Sequence, residues 1–159
     1  MHTQEFELNE AKLSFIEKLG VYYEDYGIPR IGGRILGLML VSGQPLTAEQ
    51  IATHLKVSRG SVSTNVRLLA SGGLLERISV LGERIDYYAV SESIWERAIQ
   101  MRIDGFRSLR RIAELGEKAA GNNASPAANR NLFDMLQWVD MMTSSHEQAL
   151  LHWKQFKRN

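Results

Sequence analysis

The segment TAEQIATHLKVSRGSVSTNVRLLASGG, residues 47–73, has the pattern of two short helices joined by a tight turn. Thr47 is followed three residues later by Gln50, the spacing of a capping box in which each side chain hydrogen-bonds the backbone N–H of the other residue. Ser58 starts the pattern again as a second N-cap, and a double glycine ends it. The segment therefore predicts one short helix after Thr47 and a second helix over residues 58–71.

The flanking sequence extends this pair into a larger unit. Apolar residues at helical spacing predict four further helices, at residues 8–26, 29–41, 93–119 and 131–156. The stretch LLERISVLGERIDYYAV, residues 74–90, is rich in β-branched and aromatic residues around a central glycine, and it predicts a β-hairpin. Three helices followed by a hairpin, over residues 29–90, is the order of a winged helix-turn-helix. We therefore expect a mainly α fold with a small β-wing.

Composition narrows the function classes. The chain has 159 residues, a formal net charge of +1 and no cysteine, which excludes disulfides, thiolate nucleophiles and zinc–thiolate sites. No run approaches the ~20 apolar residues of a membrane span, and the acidic start is unlike a signal peptide. We expect a cytoplasmic, nucleoid-associated protein that needs no membrane, metal or cofactor. Because the net charge is small, any nucleic-acid contact must depend on a local positive field.

The helix predicted at residues 58–71 carries such a field. At 100° per residue, Val62, Val66 and Leu69 share one side, and small polar residues with an arginine share the other. No Asp or Glu occurs between residues 58 and 72. Short side chains let a helix lie close to base edges in the major groove, and arginine can reach phosphate or guanine. The predicted DNA-binding residues of this helix are Ser58, Arg59, Gly60, Ser61, Ser63, Thr64 and Arg67.

The hairpin offers a second contact through Arg84, which follows Gly82 and Glu83 at the wing tip. An arginine there could enter the minor groove or bind its phosphates. Alternatively, Arg84 could pair with Asp86, which lies two residues on and so on the same face of a strand. Both interpretations of Arg84 remain open.

The segment LTAEQIATHLKVSRGSVSTNVRLLASGGLLER resembles the helix-turn-helix of the MarR-like regulators, and GERIDYY in the wing is similar to their GbsR-type branch, repressors of glycine betaine synthesis. The resemblance implies a repressor that binds a pseudo-palindromic operator of double-stranded DNA as a homodimer, with residues 58–71 as recognition helix. We expect an N-terminal dimerisation helix over 1–28, a DNA-binding domain over 29–91 and C-terminal dimerisation helices over 92–159. The alternative is a winged helix that binds a partner protein instead of DNA.

Other chemistry-bearing residues have simpler explanations. His54, His146 and His152 lack the spacing of a zinc motif, and no nucleophile elbow or phosphate loop occurs, so we do not expect an enzyme. Three tryptophans could line a pocket for an apolar or quaternary-ammonium effector, since aromatic faces attract cations. Aromatic residues at helical spacing are more often explained by packing in a core or a dimer interface. The candidate effector residues are Trp95, Trp138 and Trp153.

Overall fold

The computed structural model describes residues 6–79, 81–82, 84–121 and 124–158. It is mainly helical with one small sheet, as the sequence predicts. The helices and strands in chain order are α1 (Glu10–Glu24), α2 (Arg30–Ser42), β1 (Leu46–Thr47), α3 (Ala48–Leu55), α4 (Arg59–Ser71), β2 (Leu75–Ser79), β3 (Asp86–Val90), α5 (Ile94–Ala120) and α6 (Pro126–Arg158).

The predicted N-caps are present at the starts of both helices of the helix-turn-helix. Thr47 Oγ1 accepts from the Gln50 backbone N–H at 3.1 Å, and Gln50 Oε1 accepts from the Thr47 backbone N–H at 2.8 Å. Lys56 then adopts a left-handed conformation with φ of 54°, which ends α3 and turns the chain. Ser58 Oγ accepts from the Ser61 backbone N–H at 3.2 Å and starts α4. Local side-chain bonds thus set both ends of the turn.

The sheet has one strand more than the sequence predicts. Two-residue β1 pairs with β3, Leu46 opposite Tyr88, so the strand order is β1-β3-β2. The predicted hairpin is present as β2 and β3, with Leu75 opposite Val90. A two-residue strand is too short to show the alternation of apolar and polar residues that predicts a strand. β1 therefore forms only because the fold brings it to the free edge of β3.

The core lies among α2, α3, α4 and the sheet, and α1 packs against α2 through glycines. A Cβ atom on Gly33 would lie 2.9 Å from Gly20 Cα and 2.9 Å from the Leu19 carbonyl oxygen. The missing side chain of Gly33 therefore lets α1 pack closely against α2 and so against the winged helix. Fully buried side chains of this core include Ile16, Ile35, Leu36, Leu38, Met39, Ile51, Val62, Val66 and Leu69.

The chain divides into two compact units, the first ending at Ile94 and the second starting at Trp95. The first contains α1 together with the winged helix, and the second contains nearly all of α5 together with α6. The dimerisation roles expected for residues 1–28 and 92–159 stay predictions. No helix among the described residues is long and apolar enough to cross a membrane.

Helix α6 begins five residues earlier than predicted. Pro126 occupies its first position, and the Ser125 hydroxyl accepts from the Ala128 backbone N–H at 3.2 Å. Proline is favourable at the first position of a helix, so the helix can begin before residue 131. One face of α6 is less exposed than the rest; its residues are Leu132, Leu136, Val139, Thr143, His146, Leu150 and Trp153.

Candidate DNA-binding surface

The solvent face of α4 is built as the sequence predicts. Its inner side chains, Val62, Val66 and Leu69, are buried in the core, and this fixes which residues face outward. No atom of the described residues lies within 4 Å of the position that a Cβ on Gly60 would occupy. The outward residues are Ser58, Arg59, Gly60, Ser63, Thr64, Arg67, Leu68 and Ser71, whereas Ser61 is half-buried; the exposed Leu68 was not singled out from the sequence.

Arg67 is held along the surface of its own helix. Its Nε donates to the Ser63 carbonyl oxygen, one turn earlier, at 3.1 Å. This bond uses one of five guanidinium N–H groups, so the remaining donors can serve a phosphate or a guanine edge. The geometry orients Arg67 before any ligand arrives, which lowers the entropy lost on binding.

In the folded protein, a carboxylate from another helix lies beside the outward face of α4. Arg59 Nη2 lies 3.7 Å from Glu49 Oε2, an ion pair between the first turns of α4 and α3. Within the sequence, residues 58–72 contain no carboxylate. Because the turn folds α3 back beside α4, the tertiary structure adds Glu49 to the same surface.

Asn65 was not singled out from the sequence, and it is the buried polar residue of α4. Only 7% of it is exposed, and its Nδ2 donates to the Ser61 carbonyl oxygen at 2.9 Å. Its Oδ1 faces Gly32 of α2 and has no hydrogen-bond donor among the described residues. Asn65 lies three residues after Val62 and four before Leu69, so helical spacing already placed it on the buried side of α4.

In the wing, Asp86 pairs with a residue other than Arg84. Its carboxylate lies 2.6 Å from Arg77 Nη2 and accepts from the Ser79 hydroxyl at 2.8 Å. Arg77 and Ser79 share one face of β2, and Ser79 is directly opposite Asp86 in the register. The alternative in which Arg84 pairs with Asp86 is therefore wrong, and Arg84 is exposed at the wing tip. Glu83 lies outside the described residues.

A polar network ties α1, α2 and the turn together. Arg34 Nε lies 2.6 Å from Glu17 Oε1, and its Nη2 donates to the Leu55 carbonyl oxygen at 3.1 Å. Leu55 ends α3, so Arg34 holds the helix end from which the turn to α4 departs. Arg34 and Glu17 lie on different helices at no repeating interval, and no motif predicts their contact.

Comparison with known proteins places this winged helix in a family. A model of the MarR family matches residues 26–84. The HTH-type transcriptional regulator MmpR5 of Mycobacterium tuberculosis is 32% identical over 144 residues, which cover 90% of this chain and 87% of MmpR5. The chain belongs to the MarR family. It is a DNA-binding transcription regulator of that family.

Two further comparisons support the MarR assignment. A crystal structure of a transcriptional regulator, 32% identical in sequence, superposes with a TM-score of 0.78 and covers 91% of this chain and 99% of that protein. The HTH-type transcriptional repressor OpcR of Bacillus subtilis is 24% identical over 94 residues, covering 59% of this chain and 51% of OpcR.

The candidate effector residues of this MarR-family chain are not gathered in one place. Trp138 and Trp153 are 15 positions apart on α6, which is ~22 Å along the axis at 1.5 Å per residue. Trp138 packs edge-on against Phe106 at 5.7 Å between ring centroids, and Trp153 packs against Phe156 at 5.6 Å. Trp95 lies at the start of α5 and is 43% exposed. An effector role for these residues stays a prediction.

His54 and His146 each pack against a phenylalanine ring. His54 packs edge-on against Phe6, with ring centroids 5.9 Å apart. His146 Nδ1 lies 2.7 Å from the Met142 carbonyl oxygen, and its ring lies against Phe106. No group of three potential metal ligands occurs among the described residues.

Proposed function

We propose that this MarR-family protein is a repressor that binds a pseudo-palindromic operator as a homodimer, with α4 in the major groove. The observation that carries the proposal is the outward face of α4, where Arg59 and Arg67 flank small polar residues and the open space over Gly60. Such a face lets the backbone approach base edges while the arginines reach guanine or phosphate. Ser58, Ser61, Ser63 and Thr64 are the proposed short-range contacts.

Arg84 is the proposed wing contact. It is exposed, no ion pair among the described residues holds it, and the Arg77–Asp86 pair stiffens the strands below it. An arginine at the tip of a stiff hairpin fits the narrow, negative minor groove beside a major groove filled by α4.

Exposed apolar residues in both units support the homodimer. They include Phe15 and Tyr22 on α1, Tyr26 just after α1, and Phe133, Met141 and Leu151 on α6. A second copy of the chain that covered these side chains would remove their apolar surface from water. A two-fold dimer predicts half-site centres about one helical turn apart, ~10 bp or a multiple.

Three finer assignments belong to the same proposal. GERIDYY in the wing supports the GbsR-type branch, and the similarity to the transcriptional repressor OpcR supports repression. The protein acts in the cytoplasm, at the nucleoid, and no catalytic step is part of its function. An apolar or quaternary-ammonium effector would bind at Trp95, Trp138 or Trp153, whose ring faces attract cations.

Selection of bound duplexes from random DNA, followed by a salt titration, tests the function. We expect a two-fold motif and a log–log slope of affinity against salt of about −3 or steeper, since three phosphate contacts already give this value. A nearly flat slope with no enriched motif would overturn DNA binding and favour the protein-interaction alternative.

Sedimentation of Phe133→Asp and Leu151→Asp tests the dimer. We expect the wild-type protein to sediment as a dimer and the two variants as monomers, because a buried unpaired charge is costly at an interface. Gln137→Asp places the same charge at an exposed polar position of α6 and serves as the control. A monomeric wild-type protein would contradict the two-fold model.

A further inference from the structure

The ion pair between Glu49 and Arg59 occupies the place where α4 would meet a DNA backbone. Both side chains are largely exposed, Arg59 at 74% and Glu49 at 67%, and their charged atoms are 3.7 Å apart. Each residue stands in the first turn of its helix, and the left-handed turn at Lys56 brings those turns together.

The start of α4 is otherwise well suited to a phosphate. Ser58 Oγ accepts a hydrogen bond from the Ser61 backbone N–H. The other backbone N–H groups of the first turn have no acceptor one turn earlier in the helix. The positive end of the helix dipole lies there, and the space over Gly60 is open. The Glu49 carboxylate is unfavourable there, because it pairs with Arg59 and would itself repel a phosphate.

We propose that the Glu49 carboxylate competes with the phosphates of DNA for Arg59. Arg59 must leave Glu49 before it can bind a phosphate. The inference rests on the proposed function, because it assigns a role within the same surface. Exposed ion pairs are weak, so the exchange is readily reversible. Glu49 therefore sets the overall affinity of the surface, and with it the protein concentration at which an operator fills.

The competition acts on every sequence alike. Phosphate contacts carry no sequence information, so removing the Glu49 carboxylate should tighten operator and random duplexes by the same factor. Salt screens both the Glu49–Arg59 pair and the repulsion between Glu49 and a phosphate, so the gain from removing the carboxylate should be largest at low salt and the log–log salt slope should steepen. On this inference Glu49 limits the affinity for every duplex, whereas Arg67 is the proposed contact to base edges.

The test compares Glu49→Gln with Glu10→Gln in duplex titrations across salt concentrations. Glu10 is an exposed first-turn glutamate of α1, so its substitution has the same cost to a helix dipole without touching α4. We expect Glu49→Gln to tighten both duplexes about threefold to tenfold at low salt, with the steeper slope, and Glu10→Gln to match the wild type.

A double variant shows whether Glu49 acts through Arg59. In an Arg59→Ala background, we expect the gain from Glu49→Gln to shrink to twofold or less. Unchanged affinity and slope in Glu49→Gln, with wild-type protein that binds DNA, overturn the inference alone. Weaker operator binding by Glu49→Gln also overturns it, because that result would make Glu49 a direct base contact. Failure of the wild-type protein to bind any duplex overturns the proposed function instead.

Discussion

Gly32 on α2 and Asn65 on α4 face each other so closely that a Cβ atom on Gly32 would lie 3.1 Å from Asn65 Oδ1. The recognition helix therefore sits on α2 across a glycine, with a buried amide at the contact. Together with the buried Val62, Val66 and Leu69, this pair holds the inner side of α4 against the core.

Gly32→Ala should destabilise the fold by about 1–3 kcal/mol, because the added methyl group crowds Asn65 and Ile28 Cγ2, the latter at 2.9 Å. Urea unfolding measures the change in the free energy of unfolding. In an Asn65→Ala background the same substitution should cost less, since one of the two obstructions is gone. Equal costs in the two backgrounds would assign the crowding to Ile28 alone.

Gly33→Ala and Gly60→Ala should separate stability from DNA binding. The first places a methyl group against the backbone of α1, which cannot yield as a flexible side chain can, and should lower the unfolding free energy by more than about 2 kcal/mol. The second enters open space and should leave stability unchanged or raise it by up to ~1 kcal/mol. Gly60→Ala should nevertheless weaken DNA binding, since its methyl group stands on the proposed groove face. Wild-type DNA affinity for Gly60→Ala would argue against that placement of α4.

Arg34→Met should lower the unfolding free energy by about 1–3 kcal/mol, because it leaves the Leu55 carbonyl without its charged donor and leaves Glu17 with only the longer Arg30 pair. Arg30→Met is the matched control. Arg30 also pairs with Glu17, but at 3.4 Å and with half of its side chain exposed, so its loss should cost less than ~0.5 kcal/mol. Similar losses for both variants would show that the Leu55 contact contributes nothing.

The Arg77 guanidinium, followed by the Ser79 hydroxyl, holds the pKa of Asp86 below its ordinary value of 3.8. A lowered folded-state pKa means that the stabilisation is fully present above 3.8 and is lost as pH falls through the lowered value. NMR titration of the Asp86 carboxyl carbon should therefore give a midpoint below 3.8. In Arg77→Met the midpoint should move up toward the ordinary value, and Ser79→Ala should move it less. An unmoved midpoint in Arg77→Met would remove Arg77 as the main cause.

Arg67→Ala should weaken specific operator binding by about 1–3 kcal/mol, the usual loss for a base or phosphate contact. Fluorescence anisotropy with operator and random duplexes measures it. Arg111→Ala removes an exposed arginine from α5 and should leave the affinity unchanged. Unaltered operator affinity for Arg67→Ala would take Arg67 out of the contact surface.

Most helices follow from the sequence because their signals are local. The Thr47–Gln50 box and the Ser58 cap act within three residues, and the buried side of α4 follows from helical spacing. Those features were enough to predict the recognition helix and its outward residues. The start of α6 was missed because Pro126 fits both a break and a first helical position.

By itself, then, the sequence determined that two capped helices and a hairpin form a winged helix with a polar face on α4. Only the tertiary structure decided that Glu49 stands beside Arg59, that Asp86 pairs with Arg77, that β1 joins the sheet and that Arg34 reaches Leu55. These contacts join residues on different elements. Their formation depends on how helices and strands pack in space, and no interval along the chain encodes it.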